Sequence, residues 1–239
     1  MRAYTEAEIA ATIDHAVLKP ELTRTDVDGE LDVAAEWGVF SVCVRPSDVA
    51  HAAERLRGTG VAVGTVIGFP HGTTSTAGKV AEVRRAADDG ATEFDMVVNI
   101  GALRSGSLDD VVRDDIAAVV DAAAGAVTKV ILETSLLDDE QIARGSRLAE
   151  LAGATFVKTS TGFAGGGATT EHVALMRASV GTAVQVKASG GVRGLDSALA
   201  MLEAGATRLG TSAAATILTE ARSRAAGAAA SGAEDAGSY

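Results

Sequence analysis

Short apolar, β-prone runs alternate with longer amphipathic runs along the whole chain. The short runs predict strands at Ile13–Val17, Phe40–Val44, Val61–Ile67, Glu93–Val98, Lys129–Leu132, Thr155–Lys158, Ala183–Lys187 and Arg208–Gly210. The stretches between them predict helices at Asp26–Trp37, Pro46–Leu56, Ser75–Asp89, Leu108–Ala124, Asp138–Ala152, Thr169–Ser179, Leu195–Glu203 and Ser212–Ala225. Within Lys79–Ala87, for example, Val80, Val83 and Ala87 recur at helical spacing with charges between them. Glycine follows several helices, as in Trp37-Gly38, Asp89-Gly90, Ala152-Gly153 and Ala204-Gly205. It suits the left-handed residue that ends a helix. A further short helix, Glu6–Thr12, precedes the first strand and is expected to plug one end of the fold.

Strands that alternate with helices pair in parallel. Eight such units predict an α/β protein of the closed (β/α)8 TIM-barrel class with an extra N-terminal helix. The rival is an open doubly wound sheet, which carries a glycine-rich turn after its first strand. Here that strand runs into Asp14-His15-Ala16-Val17-Leu18-Lys19-Pro20, without glycine. One barrel domain is expected over 1–224, followed by a flexible tail of small and polar residues at 225–239.

Composition narrows the function. The single cysteine, Cys43, excludes an intrachain disulfide and a multi-cysteine zinc site. A net charge of −11 argues against nucleic-acid binding through a basic surface. No apolar run approaches the ~20 residues that span a bilayer, and the N-terminus does not read as a signal peptide. A soluble, cytoplasmic protein is expected.

Side chains alternate across a strand, and the outward ones meet helices. In Ala183–Lys187, Val184 and Val186 fit the helix side, so Lys187 faces the axis. The same alternation turns Asp95 inward beside Phe94 and Met96, and Glu133 inward beyond Leu132. Lys158 is placed inward by its position at a strand end. Asp95, Glu133, Lys158 and Lys187 are thus expected late in their strands, at the carboxyl face where barrel enzymes keep their sites. A structural ion network is the alternative reading. Only five of the 21 basic residues are lysine, and two of these end neighbouring strands. Arginine keeps its proton, whereas lysine can lose it.

A lysine with an ordinary pKa is about one part in 2,500 neutral at pH 7. Two ammonium groups about 4 Å apart, at an effective dielectric of about 20, repel by about 4 kcal/mol, or roughly three pKa units. That brings one amine near neutrality, as a Schiff-base nucleophile requires. Glycine-rich turns follow the last strands, in Lys187-Ala188-Ser189-Gly190-Gly191-Val192-Arg193 and Leu209-Gly210-Thr211-Ser212. This is where the fold often binds phosphate. Lys158-Thr159-Ser160-Thr161-Gly162 adds hydroxyls and a glycine beside the first lysine.

The segments Ile13-Asp14-His15, Leu18-Lys19-Pro20, Gly68-Phe69-Pro70-His71-Gly72, Glu93–Asn99, Lys158–Gly162 and Lys187–Arg193 resemble the deoxyribose-phosphate aldolases, a class I aldolase family. The resemblance runs in order from about residue 9 to 218. It implies reversible cleavage of 2-deoxy-D-ribose 5-phosphate to acetaldehyde and D-glyceraldehyde 3-phosphate. It further implies Lys158 as the Schiff-base lysine, Lys187 as the second active-site lysine and Asp95 as the proton shuttle. No metal or organic cofactor is implied; the only partner is a small phosphosugar, with a homodimer plausible by family analogy. Phosphate-binding candidates are Thr161, Gly162, Gly190, Gly191, Gly210, Thr211 and Ser212.

The chain departs from the family in two ways and shares a terminal feature with some members. Ala213 stands where a second serine is common, and Phe163 follows the lysine motif where some members carry lysine. Phe163–Gly167 reads instead as a flexible loop. Tyr239 ends the chain, and in some members a terminal tyrosine assists proton transfer at the enamine carbon.

Other residues carry plainer expectations. His15 and His71 are read as structural hydrogen-bonders, His51 and His172 as surface residues, and Cys43 as a small buried hydrophobe. Asp14, Lys19 and Arg45 are expected to order polar groups near the active face. Glu133 is expected to pair with a lysine. Another phosphate-binding barrel enzyme and a non-catalytic binding protein remain as alternative readings.

Overall fold

The structure is a computed structural model and describes residues 4–227. Its eight strands close in sequence order, β1-β2-β3-β4-β5-β6-β7-β8, and every pair is parallel. The strands are β1 (Ile13–Val17), β2 (Ser41–Val44), β3 (Ala62–Ile67), β4 (Glu93–Val97), β5 (Val127–Ile131), β6 (Phe156–Lys158), β7 (Gln185–Ser189) and β8 (Arg208–Thr211). The helices are α1 (Glu6–Ala10), α2 (Arg24–Trp37), α3 (Val49–Arg55), α4 (Thr76–Asp88), α5 (Ile100–Ser105), α6 (Asp109–Ala122), α7 (Asp139–Leu151), α8 (Thr170–Ser179), α9 (Leu195–Glu203) and α10 (Ala214–Ala225). The expected tail lies outside the described residues from 228 onward, and so does Tyr239. Among the described residues no helix is long and apolar enough to cross a membrane.

Strand alternation sorts the barrel into two environments. Val42, Phe94, Met96, Val130, Val157, Val186 and Leu209 are buried against the helices. Each such side chain contributes about 1.5–3 kcal/mol relative to exposure. The opposite parity carries Asp14, Glu93, Asp95, Lys129, Lys158, Lys187 and Arg208, all buried inside the barrel. Helix starts follow local capping. Thr23 and Asp26 form a reciprocal cap that starts α2 ahead of its expected position. Asp138 and Gln141 do the same for α7.

Two expectations need correction. The loop after β4 contains α5, capped by the Asn99 side chain and ended by Gly106 in a left-handed conformation. Two caps six residues apart were too short a signal against a loop. β5 starts at Val127, two residues early, because Val127 and Thr128 already pair with Glu93 and Phe94 of β4. The helix α1 is tied to α10 by Glu6–Arg222 and to the segment before β2 by the Phe40 N–H, which donates to the Ala10 carbonyl. Beside it the Arg208 guanidinium stacks 3.6 Å from the Phe40 ring centre, with Phe156 at 5.3 Å on β6.

Candidate active site

The site is built on the inward positions of β1, β4, β5, β6, β7 and β8. Register places Lys158 beside Lys187 and Asp95 beside Lys129. The Asp95 carboxylate then bridges three amines. Its Oδ2 accepts from Lys158 Nζ and from Lys187 Nζ, each at 2.8 Å, and its Oδ1 accepts from Lys129 Nζ at 2.7 Å. Two nitrogens on one oxygen cannot be farther apart than twice that distance. The two amines singled out in the sequence are therefore neighbours on one rim.

Asp95 and Lys187 sit mid-strand and not late, so the cluster lies deeper in the barrel than alternation alone suggested. Depth adds partners. Asp14 accepts from Lys187 at Oδ2, and from Ser41 at 2.6 Å and Arg208 at 2.7 Å through Oδ1. Lys129 donates to Glu93 at 2.6 Å, and Arg208 Nη1 lies 3.2 Å from Glu93 Oε2. Lys129 and Arg208 were missed as members of the site, and Glu93, which alternation turns inward with Asp95, was left out of it. The signal was present: each occupies the inward parity of a strand whose outward positions are apolar.

Burial and charge set the protonation states. Burial, which disfavours an ammonium, dominates at Lys158, and Lys187 adds repulsion; together they outweigh Asp95 and hold the pKa below the ordinary 10.5. The expected cause, repulsion between the two lysines, is therefore the lesser one. At Lys187 burial is outweighed by Asp14 and Asp95, so its pKa is raised. Lys129 is likewise raised, with Asp95, Asp14 and Glu93 outweighing burial. Asp95 and Asp14 are held below the carboxylate range by the surrounding cations, against burial. Burial pushes the Cys43 thiol up to about 11, which keeps it protonated at neutral pH.

Above the cluster lies a cavity of about 160 Å³ lined by Asp14, Cys43, Lys158, Lys187, Gly210 and Ser212, among others. Thr161, Gly162 and Gly190 also line it. An outer cavity of about 440 Å³ continues past Gly162 and Gly190 to Gly191 and Arg193. Lys19 and Phe163 line both, forming a neck between them. Gly210 is required beneath: a Cβ there would lie 2.8 Å from Ser189 Cβ and 3.1 Å from Lys187 Cε.

Some candidates are placed elsewhere. Thr211 lines neither cavity; its hydroxyl donates to the Val192 carbonyl at 2.6 Å. The Thr161 hydroxyl is engaged by Glu133, which therefore pairs with Thr161 and not with a lysine. Glu133 lies beyond β5 in a left-handed conformation, φ 58°, which breaks the alternation that had turned it to the axis. The loop Phe163–Gly167 has contacts at both ends. Ala168 N–H donates to the Ser189 and Gly190 carbonyls, and Phe163 meets Phe69 edge-on with ring centres 5.2 Å apart. His15 faces α2 and bonds Glu30 at 2.7 Å, whereas His71 is exposed. His51 bonds Asp28, and His172 is partly buried on α8. Arg45 orders the loop after β1, donating to the carbonyls of Lys19, Pro20 and Leu22, each at 3.1 Å, while Asp48 holds it at 2.6 Å. Among the described residues no cluster of three His, Cys, Asp or Glu side chains is arranged to hold a metal ion.

An amine whose ammonium form burial disfavours, beside a carboxylate and an ammonium and lining a pocket, can form an imine with a carbonyl and move protons around it. Known proteins are similar to this chain over most of its length. Deoxyribose-phosphate aldolase 2 of Staphylococcus aureus is 56% identical over 209 residues, covering 87% of this chain and 94% of its own. The deoxyribose-phosphate aldolase of Staphylococcus haemolyticus has the same identity and coverage. The tetrameric deoxyribose phosphate aldolase structure from Aeropyrum pernix superposes with a TM-score of 0.85 at 31% identity, covering 92% of this chain and 93% of that one. A family model described as DeoC/LacD family aldolase matches residues 9–230, and the chain belongs to that family.

Proposed function

We propose that this protein is a class I aldolase that reversibly cleaves 2-deoxy-D-ribose 5-phosphate to acetaldehyde and D-glyceraldehyde 3-phosphate through an imine on Lys158. The observation that carries the reading is Asp95 Oδ2 holding both the Lys158 and Lys187 amines at 2.8 Å, with both lysines lining one cavity. Neutral Lys158 attacks the C1 aldehyde of the open-chain sugar. Loss of water leaves an iminium ion that accepts electrons. The C3 hydroxyl gives up its proton to Asp95, acting with Lys187 and a water. A carboxyl held so far below its usual range does not keep that proton, so Asp95 relays it. The C2–C3 bonding pair moves into the iminium, giving an enamine and releasing glyceraldehyde 3-phosphate. Protonation at C2 and hydrolysis of the imine free acetaldehyde and restore the amine.

The sugar phosphate points from Lys158 toward the neck, where Gly162, Gly190 and Lys19 converge. Gly191 and Ser212 extend the same binding surface. Tyr239 is assigned a proton relay at the enamine carbon, tested by removing it alone: hydrogen exchange at C2 should slow. The single catalytic domain covers 1–224, the protein acts in the cytoplasm, and a homodimer is its assembly. Sedimentation tests the last point.

The central test is borohydride trapping with substrate, joined to a coupled assay for glyceraldehyde 3-phosphate. A two-carbon unit fixed on Lys158 is the expected product. Label on another residue, or turnover without label, would overturn the assignment.

A further inference from the structure

Among the described residues the barrel interior sets three carboxylates, Asp14, Glu93 and Asp95, against four basic groups, Lys129, Lys158, Lys187 and Arg208. An uncompensated buried charge is expensive. The cluster is balanced when one basic group gives up its proton. Arginine does not, so the neutral member is a lysine.

Geometry selects which one. Lys129 lies within 3.6 Å of all three carboxylates. Lys187 is shared between Asp14 and Asp95. Lys158 has Asp95 alone, on an oxygen that Lys187 also uses. Arg208 approaches from the opposite end of the barrel. It is the first residue of β8, is 7% exposed, and is held over the Phe40 ring at 3.6 Å. From there Nη1 reaches Asp14 at 2.7 Å and Glu93 at 3.2 Å.

We propose that Arg208 is a positioning residue for the chemistry: its permanent charge at the barrel floor satisfies Asp14 and Glu93, so no carboxylate is left over to hold Lys158 as an ammonium. Arg208 touches no reacting atom and acts through the carboxylates. The inference rests on the reading of Lys158 as the nucleophile.

The groups facing the cluster come from every strand. β1 supplies Asp14, with His15 turned out toward Glu30. β2 supplies Ser41 and the protonated Cys43. β3 presents Gly64 and Val66, without charge. Glu93 and Asp95 come from β4, Lys129 from β5, Lys158 from β6, Lys187 from β7 and Arg208 from β8. Glu133, beyond β5, is buried and hydrogen-bonded by Thr161; its carboxylate also feels the Lys158 charge, but burial raises its pKa and it makes no ion pair with any of the four basic groups.

Two substitutions change the count in opposite directions. Arg208→Met leaves three carboxylates for three lysines, so Lys158 is held protonated. Glu93→Gln leaves two carboxylates for four basic groups, so Lys158 is released further. The readout is the rate of borohydride trapping at Lys158 as a function of pH, with kcat/KM measured alongside. Arg208→Met should move the profile alkaline by about one pH unit, the effect of a unit charge roughly 10 Å away at an effective dielectric of about 20. Glu93→Gln should move it acid by a similar amount, and the double variant should return it close to the starting profile. An unmoved profile in Arg208→Met, or shifts of the same sign in both single variants, overturns the proposal. Should Arg208→Met not fold, Glu93→Gln decides alone, since it leaves the stacking on Phe40 intact. Absence of trapping at Lys158 in the unsubstituted protein would instead overturn the functional reading itself.

Discussion

At the scale of single residues, three lysines in one barrel have three different jobs. Lys129 is bonded to Glu93 and Asp95 and is raised in pKa, so it behaves as a structural cation. Lys158 is burdened by burial, and its pKa is lowered. Replacing both by Met should therefore separate them. Lys129→Met strands buried carboxylates and should cost about 3–5 kcal/mol in urea unfolding. Lys158→Met removes a group whose charged form the interior disfavours, and should change stability by less than about 1 kcal/mol while abolishing imine formation. Lys187→Leu removes repulsion on Lys158 and also a partner of Asp95. Its imine-trapping profile should move alkaline; an unmoved profile would show that burial alone sets the nucleophile.

At the scale of elements, parallel register does the work of assembly. Lys158 on β6 and Lys187 on β7 become neighbours because the two strands pair at those residues. Next to them, β8 has to present no side chain at 210. Gly210→Ala would place a methyl against Ser189 Cβ and Lys187 Cε. Stopped-flow imine formation should slow by at least about tenfold, because Lys187 Cε must move, and thermal stability should also fall, because Ser189 Cβ is fixed to the backbone of β7 and cannot give way as a side-chain end does. An unchanged rate would mean that Lys187 has room to shift. The alternation within strands was legible in the chain, and so were the helices that follow them. Glu133 was not, because one left-handed residue past the end of β5 cancels a rule that holds inside strands.

At the scale of the whole molecule, a charged interior makes folding depend on pH. Asp14 and Asp95 are held below their ordinary 3.8 in the folded state. The unfolded chain takes up those protons first as the solution is acidified. The stability they contribute is complete above their unfolded pKa and is lost as pH falls through the folded values, beginning near about pH 5. Lys129 and Lys187, raised above 10.5, contribute in the opposite sense: their share is present below that value and lost at higher pH. Lys158, lowered, opposes them. Urea unfolding followed against pH should therefore show a steep acid limb. Asp95→Asn should flatten that limb while lowering stability at neutral pH. A limb of unchanged slope would place the acid sensitivity elsewhere.

The amino-acid sequence by itself determined the eight strand–helix units, because hydrophobic periodicity is local and each short run carries its own outward face. It also turned Asp95 and Lys187 inward by alternation, and Lys158 by its position at the end of a strand. Tertiary structure decided the rest. Closure of the sheet brought β8 against β1, and with it Arg208 against Asp14, residues 194 apart in the chain. No periodicity records that pairing, since the energy of a buried charge depends on every neighbour that surrounds it. The same holds for Thr161 and Glu133, whose mutual bond depends on the paths of two separate loops. Local pattern chose the scaffold, and the balance of charge inside it was set only once the barrel had closed.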